Sequence, residues 1–168
     1  NGELKPDSGT ISIGETVKIS TFSQDDSHMD LSMKAIDYVK EGGEWIPTED
    51  GTKISASQLA ERFLFDGTMQ YTMIEKLSGG ERRRLHLLRV LMEAPNVLIL
   101  DGPTNHLDLE SITAVNNGLK DYNSNVLFAS HDHQFVQTVA NTIIRVNDDG
   151  SIFDRSMSYD EFLEKFAE

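Results

Sequence analysis

Two short apolar runs constrain the fold of this chain more than any other feature of its sequence. Residues 97–100 are Val-Leu-Ile-Leu and residues 126–129 are Val-Leu-Phe-Ala, and a polar residue follows each run directly. An unbroken apolar run of this length is typical of a strand that is buried on both faces of a parallel sheet. Residues 109–119, between the two runs, have helical spacing. We therefore expect an α/β fold in which parallel strands alternate with helices.

The sequence around these runs predicts three segments. Residues 1–28 are expected to be β-rich, and residues 29–94 to form a mainly helical subdomain. Residues 95–168 are expected to complete the α/β layer. In the first segment we predict a hairpin of strands 10–13 and 16–22 about Gly14. The remaining predicted elements are helices over 31–39, from Ser55 or Ser57 to 65, and over 78–93, 133–140 and 159–166, a polar loop at 40–52, and strands at 142–146 and 151–153.

The composition argues against several classes of function. A net charge of −13 over 168 residues disfavours general binding to DNA or RNA. No apolar run approaches the roughly 18 residues of a transmembrane helix, and no charged-then-apolar leader occurs in this stretch. The chain also contains no cysteine, which fits a reducing compartment. We therefore predict a cytoplasmic chain with neither a membrane nor a DNA partner.

The string Leu77-Ser78-Gly79-Gly80-Glu81 is the first candidate for a binding site. Two glycines at a helix N-terminus let backbone N–H groups approach an anion closely, and the helix dipole favours negative charge there. Ser78 adds a hydroxyl donor. The alternative is an ordinary serine N-cap followed by a glycine turn. The local chemistry favours that second interpretation.

Polar residues that follow the two apolar runs are the next candidates. Asp101 stands where α/β sheets build nucleotide sites, and a carboxylate there commonly holds Mg²⁺; capping of the next turn is the alternative. His131 follows the second run, and its imidazole can bond to a phosphate or an attacking water. For a lone histidine a structural role is the simpler alternative.

Taken together, these strings resemble the ABC ATPase family. Their order and spacing match its signature motif, its Walker B strand with the D-loop, and its switch histidine. The resemblance implies a P-loop NTPase-like fold that binds ATP and Mg²⁺. Nucleotide contacts are then implied for Gln24, Ser78, Gly79, Gly80, Glu81, Asp101 and Asp108, with Mg²⁺ at Gln24 and Asp101. His131 and position 102 would serve hydrolysis.

The strings Pro-Thr-Asn-His-Leu-Asp at residues 103–108 and Ser-His-Asp-His-Gln-Phe-Val at 130–136 resemble the ABC-F class. Proteins of that class carry two ABC domains in tandem, lack a membrane domain, and include ribosome-associated translation factors. The resemblance implies a second ABC domain in the same parent chain, and the ribosome with its RNA as a partner. Two alternatives stay open: the ATP-binding subunit of a membrane transporter, and an interaction module that has lost catalysis.

The chain departs from the family pattern at two places. It has no G-x-x-x-x-G-K-[ST] string, and we expect it to begin after that phosphate-binding loop and the strand that feeds it. The neighbours of that strand would then be left unpaired. The second departure is Gly102, which stands where the family has the glutamate that polarises the attacking water. The isolated chain is therefore predicted to be inactive.

Arg82, Arg83 and Arg84 form a basic cluster on an acidic chain. One interpretation is a face for ribosomal RNA. The other, which we favour at this point, is a solvated helix face paired with acidic neighbours. Trp45, in the predicted polar loop, is either a loop anchor or an exposed contact.

Overall fold

The computed structural model describes residues 5–23, 29–48, 51–120, 122 and 124–166. Strands and helices alternate through most of this length, as the apolar runs predict. The strands are β1 (Ile19–Phe22), β2 (Trp45–Pro47), β3 (Lys53–Ser55), β4 (Val97–Asp101), β5 (Asn125–Ala129), β6 (Ile143–Val146) and β7 (Ile152–Arg155). The helices are α1 (Ala35–Gly42), α2 (Ala56–Arg62), α3 (Gly67–Gln70), α4 (Gly79–Met92), α5 (Leu109–Lys120), α6 (His133–Val139) and α7 (Tyr159–Phe166), with a 3₁₀ turn at Ile74–Lys76.

A parallel sheet in the order β1-β4-β5 forms the centre of the α/β layer. Phe22 pairs with Leu100, and Asp101 pairs with Ala129, so that the carboxyl ends of the three strands meet at one edge. The expected parallel sheet is confirmed. The predicted hairpin of residues 10–13 and 16–22 is wrong, because β1 pairs with β4 and residues 10–13 belong to no strand.

Strand β5 differs from its prediction in burial. Residues 126–129 were expected to be buried on both faces, but Leu127 is 54% exposed. Within the described residues no strand pairs with the second edge of β5, and the β6–β7 hairpin forms a separate antiparallel sheet. Open edges of this kind favour self-association.

The helical segment packs around α4. Leu85 and Leu88 of α4 are buried against the sheet that contains Leu98 and Phe22. At the other side α1 crosses α4 so closely that a Cβ on Gly42 would lie 2.2 Å from the Arg89 carbonyl oxygen. The predicted loop at 40–52 contains β2, which pairs with β3, and Trp45 is 57% exposed there. The exposure of Trp45 on β2 disfavours the interpretation of this residue as a loop anchor.

Local capping signals define two of these helices. Ser55 accepts a hydrogen bond from the Gln58 N–H while the Gln58 side chain accepts one from the Ser55 N–H. This reciprocal capping box starts α2 and resolves the choice between Ser55 and Ser57. Among the described residues, none of the helices is long and apolar enough to cross a membrane.

Candidate functional site

The signature turn lies at the N-terminus of α4. Ser78 caps the helix, since its Oγ accepts from the Glu81 N–H at 3.3 Å and Glu81 Oε2 accepts from the Ser78 N–H at 2.7 Å. Ser78 and Gly79 are exposed. The geometry is that of an ordinary capping box, yet the Ser78 hydroxyl accepts and so keeps its own proton for a ligand. The Glu81 carboxylate faces its own helix terminus.

The three arginines that follow do not form the solvated face or the RNA face that the sequence suggested. Arg82 Nε donates to the Ile74 and Leu77 carbonyls at 3.2 and 3.1 Å, and its Nη2 donates to the Glu75 carbonyl at 2.9 Å. Arg82 therefore holds the 3₁₀ turn against α4. The prediction of a solvated face failed for Arg82 because its acceptors are backbone carbonyls. Every residue has such a carbonyl, so the sequence cannot indicate which one a side chain will contact.

Arg84 is buried to 6% exposure, donates to Ser111 Oγ, and lies 5.1 Å from the Phe65 ring centre. Burial lowers the pKa of its guanidinium, while the charges of Asp108, Glu81 and Glu110 act in the opposite direction. Arg84 therefore joins α4 to the start of α5. A side chain held in this way cannot contact RNA.

The turn after β4 brings Asp101 and Gly102 to the carboxyl edge of the sheet. The Asp101 side chain is exposed, and Gly102 is buried with φ 54°. A Cβ at position 102 would lie 2.3 Å from Asn105 Nδ2. The Asn105 amide therefore occupies the space in which a side chain at position 102 would begin. No pattern in the sequence predicts this role of Asn105.

His131 lies at the same edge, since it follows β5 by two residues and β5 pairs with β4. Asp101, Gly102, Asn105 and His131 all line one open cavity of about 890 Å³ between β5 and β6. The structure thus brings three sequence-predicted residues together and adds Asn105. It does not bring Ser78, Gly79, Gly80 or Glu81 to this cavity. Gln24, the remaining predicted ligand, lies outside the described residues.

Mg²⁺ fits the donor set at this edge. Mg²⁺ commonly binds to one or two protein carboxylates while phosphate oxygens and water complete its shell, and the exposed Asp101 carboxylate at the end of β4 can serve as such a ligand. Among the described residues, no three His, Asp or Glu side chains form a ready-made metal cluster. Asp101 would therefore hold the ion together with a bound phosphate.

Asp108 starts α5 and does not face the cavity. Its Oδ1 accepts from the Ser111 N–H at 2.8 Å. Hydrogen bonds from the Ser111 hydroxyl and backbone N–H hold the pKa of this carboxyl below its usual value, and the charge of Arg84 adds to the effect. Asp108, Ser111 and Arg84 thus form a chain of contacts from α5 to α4.

This lowered pKa predicts an acid limb of stability that depends on Asp108. A carboxyl whose pKa is lower in the folded chain stabilises the fold above its unfolded pKa of about 3.9, and the stabilisation is lost as pH falls through the folded pKa. We expect Asp108→Asn to flatten this part of the profile. The measurement is denaturant unfolding from pH 7 to about pH 2. A constant difference in unfolding free energy between the two proteins over that range would contradict the expectation.

The fold and this edge define a nucleotide-binding α/β ATPase domain. The sequence model of the family described as ABC transporter matches residues 1–105, and the chain belongs to that family as an ABC ATPase nucleotide-binding domain. The chain is 45% identical to the "Uncharacterized ABC transporter ATP-binding protein YfmR" of Bacillus subtilis over 164 residues, which cover 98% of the chain. It is 38% identical to the "Energy-dependent translational throttle protein EttA" of Escherichia coli over 152 residues, or 90% of the chain.

These relatives are longer than the chain, which spans 26% of the first and 27% of the second. A solved chain described as a metal-chelate type ABC transporter in an inward-facing conformation superposes with a TM-score of 0.65 at 20% identity. That match covers 92% of this chain and 63% of the other. At this identity the likeness confirms the P-loop NTPase-like α/β fold and no more.

Proposed function

We propose that the chain is the signature-bearing part of an ABC-F ATPase and contributes that motif to a composite ATP site with a second ABC domain. The observation that carries this proposal is the separation of the candidate residues into two places. Ser78 and Gly79 lie exposed and Gly80 half-buried at the start of α4, while Asp101 and His131 line the cavity beside β5. A signature turn that points away from its own chain's site is suited to a phosphate held by another domain.

The ABC-F assignment is supported by the string at residues 103–108 and by the 38% identity to EttA. Its name describes that protein as a translational throttle. Under this proposal the parent protein works in the cytoplasm, with the ribosome as its partner. Because α4 uses Arg82 and Arg84 internally, the ribosomal contact would have to lie elsewhere on the parent protein.

A second candidate is the ATP-binding subunit of a membrane transporter. The family description and the name of the Bacillus subtilis relative YfmR, an uncharacterized ABC transporter ATP-binding protein, favour it. Cosedimentation of the parent protein separates the two candidates. ABC-F function requires binding to ribosomes in the presence of ATP, whereas a transporter subunit follows the membrane fraction.

The composite-site proposal predicts different ATP affinities for the chain alone and in a pair. Alone with Mg²⁺-ATP, the chain should show no micromolar binding by calorimetry, because no phosphate loop is present in its sequence. Together with an ABC domain that carries such a loop, it should tighten ATP binding, and Ser78→Ala should remove that gain.

Ser55→Ala is the matched control. Both serines cap a helix through a capping box, so each substitution should cost about 1 kcal/mol of folding stability. Only Ser78→Ala should weaken ATP binding in the pair. Equal effects of the two substitutions on ATP binding would reduce Ser78 to a structural cap. Micromolar ATP binding by the chain alone would also refute the composite-site proposal.

A further inference from the structure

Arg83 contacts the ends of two strands from the first turns of α4. Its Nη2 donates to the Gly102 carbonyl at 2.8 Å and approaches the Asp101 carbonyl at 3.5 Å. Its guanidinium lies 5.0 Å from the centre of the Phe22 ring. Phe22 ends β1 and is 1% exposed, and Asp101 ends β4. One side chain of the signature helix therefore bridges both carboxyl ends.

The carbonyl that Arg83 reaches belongs to a junction of three elements. The Gly102 N–H donates to the Ala129 carbonyl of β5 at 2.9 Å, and the Asn105 N–H donates to the Gly102 carbonyl at 3.1 Å. Arg83 adds the bond from α4. Gly102 has φ 54°, a backbone conformation that glycine adopts without strain. Because glycine also adopts other conformations easily, these hydrogen bonds are needed to hold the Gly102 peptide in one orientation.

A second contact joins the same helix to the same segment. A Cβ on Gly80 would lie 3.4 Å from the His106 carbonyl oxygen and 3.9 Å from Leu107 Cδ2. The signature turn therefore packs against residues 106 and 107, a few residues beyond Gly102. Any movement of this segment that breaks the Arg83 bond also changes the surroundings of Gly80.

We propose that Arg83 is a positioning residue that couples the signature turn to the Asp101–Gly102 turn. It does not contact nucleotide itself. Its bond fixes the Gly102 peptide, which in turn sets the direction of the Asp101 end of β4 and the place of Asn105. Loss of this bond loosens the Gly102 peptide, while the contact of Gly80 with residues 106 and 107 remains and neither element unfolds.

The inference rests on the proposed composite site, in which the two turns serve two different phosphates. Asp101 lines the cavity of its own chain, while Ser78 and Gly79 are exposed at the start of α4 and lie outside that cavity. Arg83 then provides a direct link between the two sites. A change of orientation at one turn is passed to the other through a single side chain and one helical turn.

Residue-resolved amide hydrogen exchange of the 168-residue chain tests the coupling without any nucleotide. In Arg83→Gln, the Gly102 and Asn105 amides should exchange about tenfold faster or more, as expected for loss of a hydrogen bond from a charged donor. Amides of α1 and α2 should not change. Arg83→Lys keeps the charge and an ammonium donor but not the planar fork, so its exchange rates should lie between those of the unmodified chain and of Arg83→Gln.

Arg82→Gln is the control, because the bonds of Arg82 end within residues 74–77. It should speed exchange at Lys76 and Leu77 and leave Gly102 and Asn105 unchanged. A rise at all amides in proportion to the loss of global stability, measured by denaturant, would make Arg83 a merely structural residue and overturn the proposal. So would unchanged rates at Gly102 and Asn105.

Should Arg83→Gln fail to fold, Arg83→Lys alone decides, since a local rise at Gly102 and Asn105 supports the proposal and a uniform or absent rise overturns it. A negative result in the hydrogen-exchange experiment would not change the conclusion drawn from the ATP titrations. A negative result in the ATP titrations would likewise not change the conclusion from hydrogen exchange, because that experiment contains no nucleotide.

Discussion

Gly42→Ala is expected to destabilise the fold strongly, because among the described glycines its new Cβ would lie closest to a backbone atom. The new Cβ would lie 2.2 Å from the Arg89 carbonyl oxygen and 3.0 Å from Met92 Cβ. The carbonyl is part of the α4 backbone, so it cannot turn away as a side chain does, and α1 has to move from α4. Overpacking of this kind costs roughly 1–3 kcal/mol, and we expect the upper end because the obstacle is backbone.

Gly67→Ala is the matched control for this substitution. Gly67 also lies in a helix, at the start of α3, but nothing lies within 4 Å of its Cβ position. Alanine is the better helix former by up to about 1 kcal/mol, so Gly67→Ala should leave stability unchanged or raise it. The measurement is the free energy of unfolding in denaturant for both variants. Equal stabilities would show that α1 and α4 are not in contact at Gly42.

The elements that the sequence predicted correctly are those with local signals. The start of α4 follows from Ser78 and Glu81, which satisfy each other's backbone three residues apart. The strand at 97–100 follows from an unbroken apolar run. The hairpin at residues 10–22 failed because the partner of β1 lies more than 70 residues further along the chain. Alternation within residues 10–13 carries no information about such a partner.

The location of the candidate site at the carboxyl edge of the sheet could be predicted from the sequence, but the contacts that hold its residues in position could not. Asp101 and His131 lie at one edge because Asp101 ends β4 and His131 follows β5, and these two strands pair in parallel. The apolar runs are enough to predict this. The link from Arg83 to Gly102 was not predictable, since its acceptor is a main-chain carbonyl. Nor was the position of Asn105, which depends on the left-handed conformation of Gly102.

Gly102→Glu is the substitution with the largest expected effect on catalysis. The size of this effect depends on whether the structure can accommodate a side chain at position 102. In a complete domain with a phosphate loop, a positioned carboxylate at 102 is expected to raise ATP turnover by about 10²–10⁴-fold. Two obstacles stand in the way. The residue has φ 54°, which costs a non-glycine residue on the order of 1–3 kcal/mol, and Asn105 Nδ2 lies 2.3 Å from the new Cβ.

The cost of the backbone conformation and the cost of the Asn105 contact can be measured separately in the isolated chain. Gly150 has φ 79° but nothing within 4 Å of its Cβ position, so Gly150→Ala reports the backbone term alone. Gly102→Ala reports that term together with the Asn105 contact, and should therefore be the more destabilising of the two in denaturant. Asn105→Ser should remove most of the difference, since the shorter side chain vacates the contested space.

The same pair of positions then controls activity. We expect Gly102→Glu alone to recover only part of the turnover, because its carboxylate has to displace Asn105 before it can orient a water. Gly102→Glu with Asn105→Ser should recover more, although Asn105→Ser alone should leave turnover unchanged. Steady-state ATPase rates of the four proteins measure this coupling directly. If the double variant is no faster than Gly102→Glu alone, Asn105 adapts without cost and does not limit the effect of the new carboxylate.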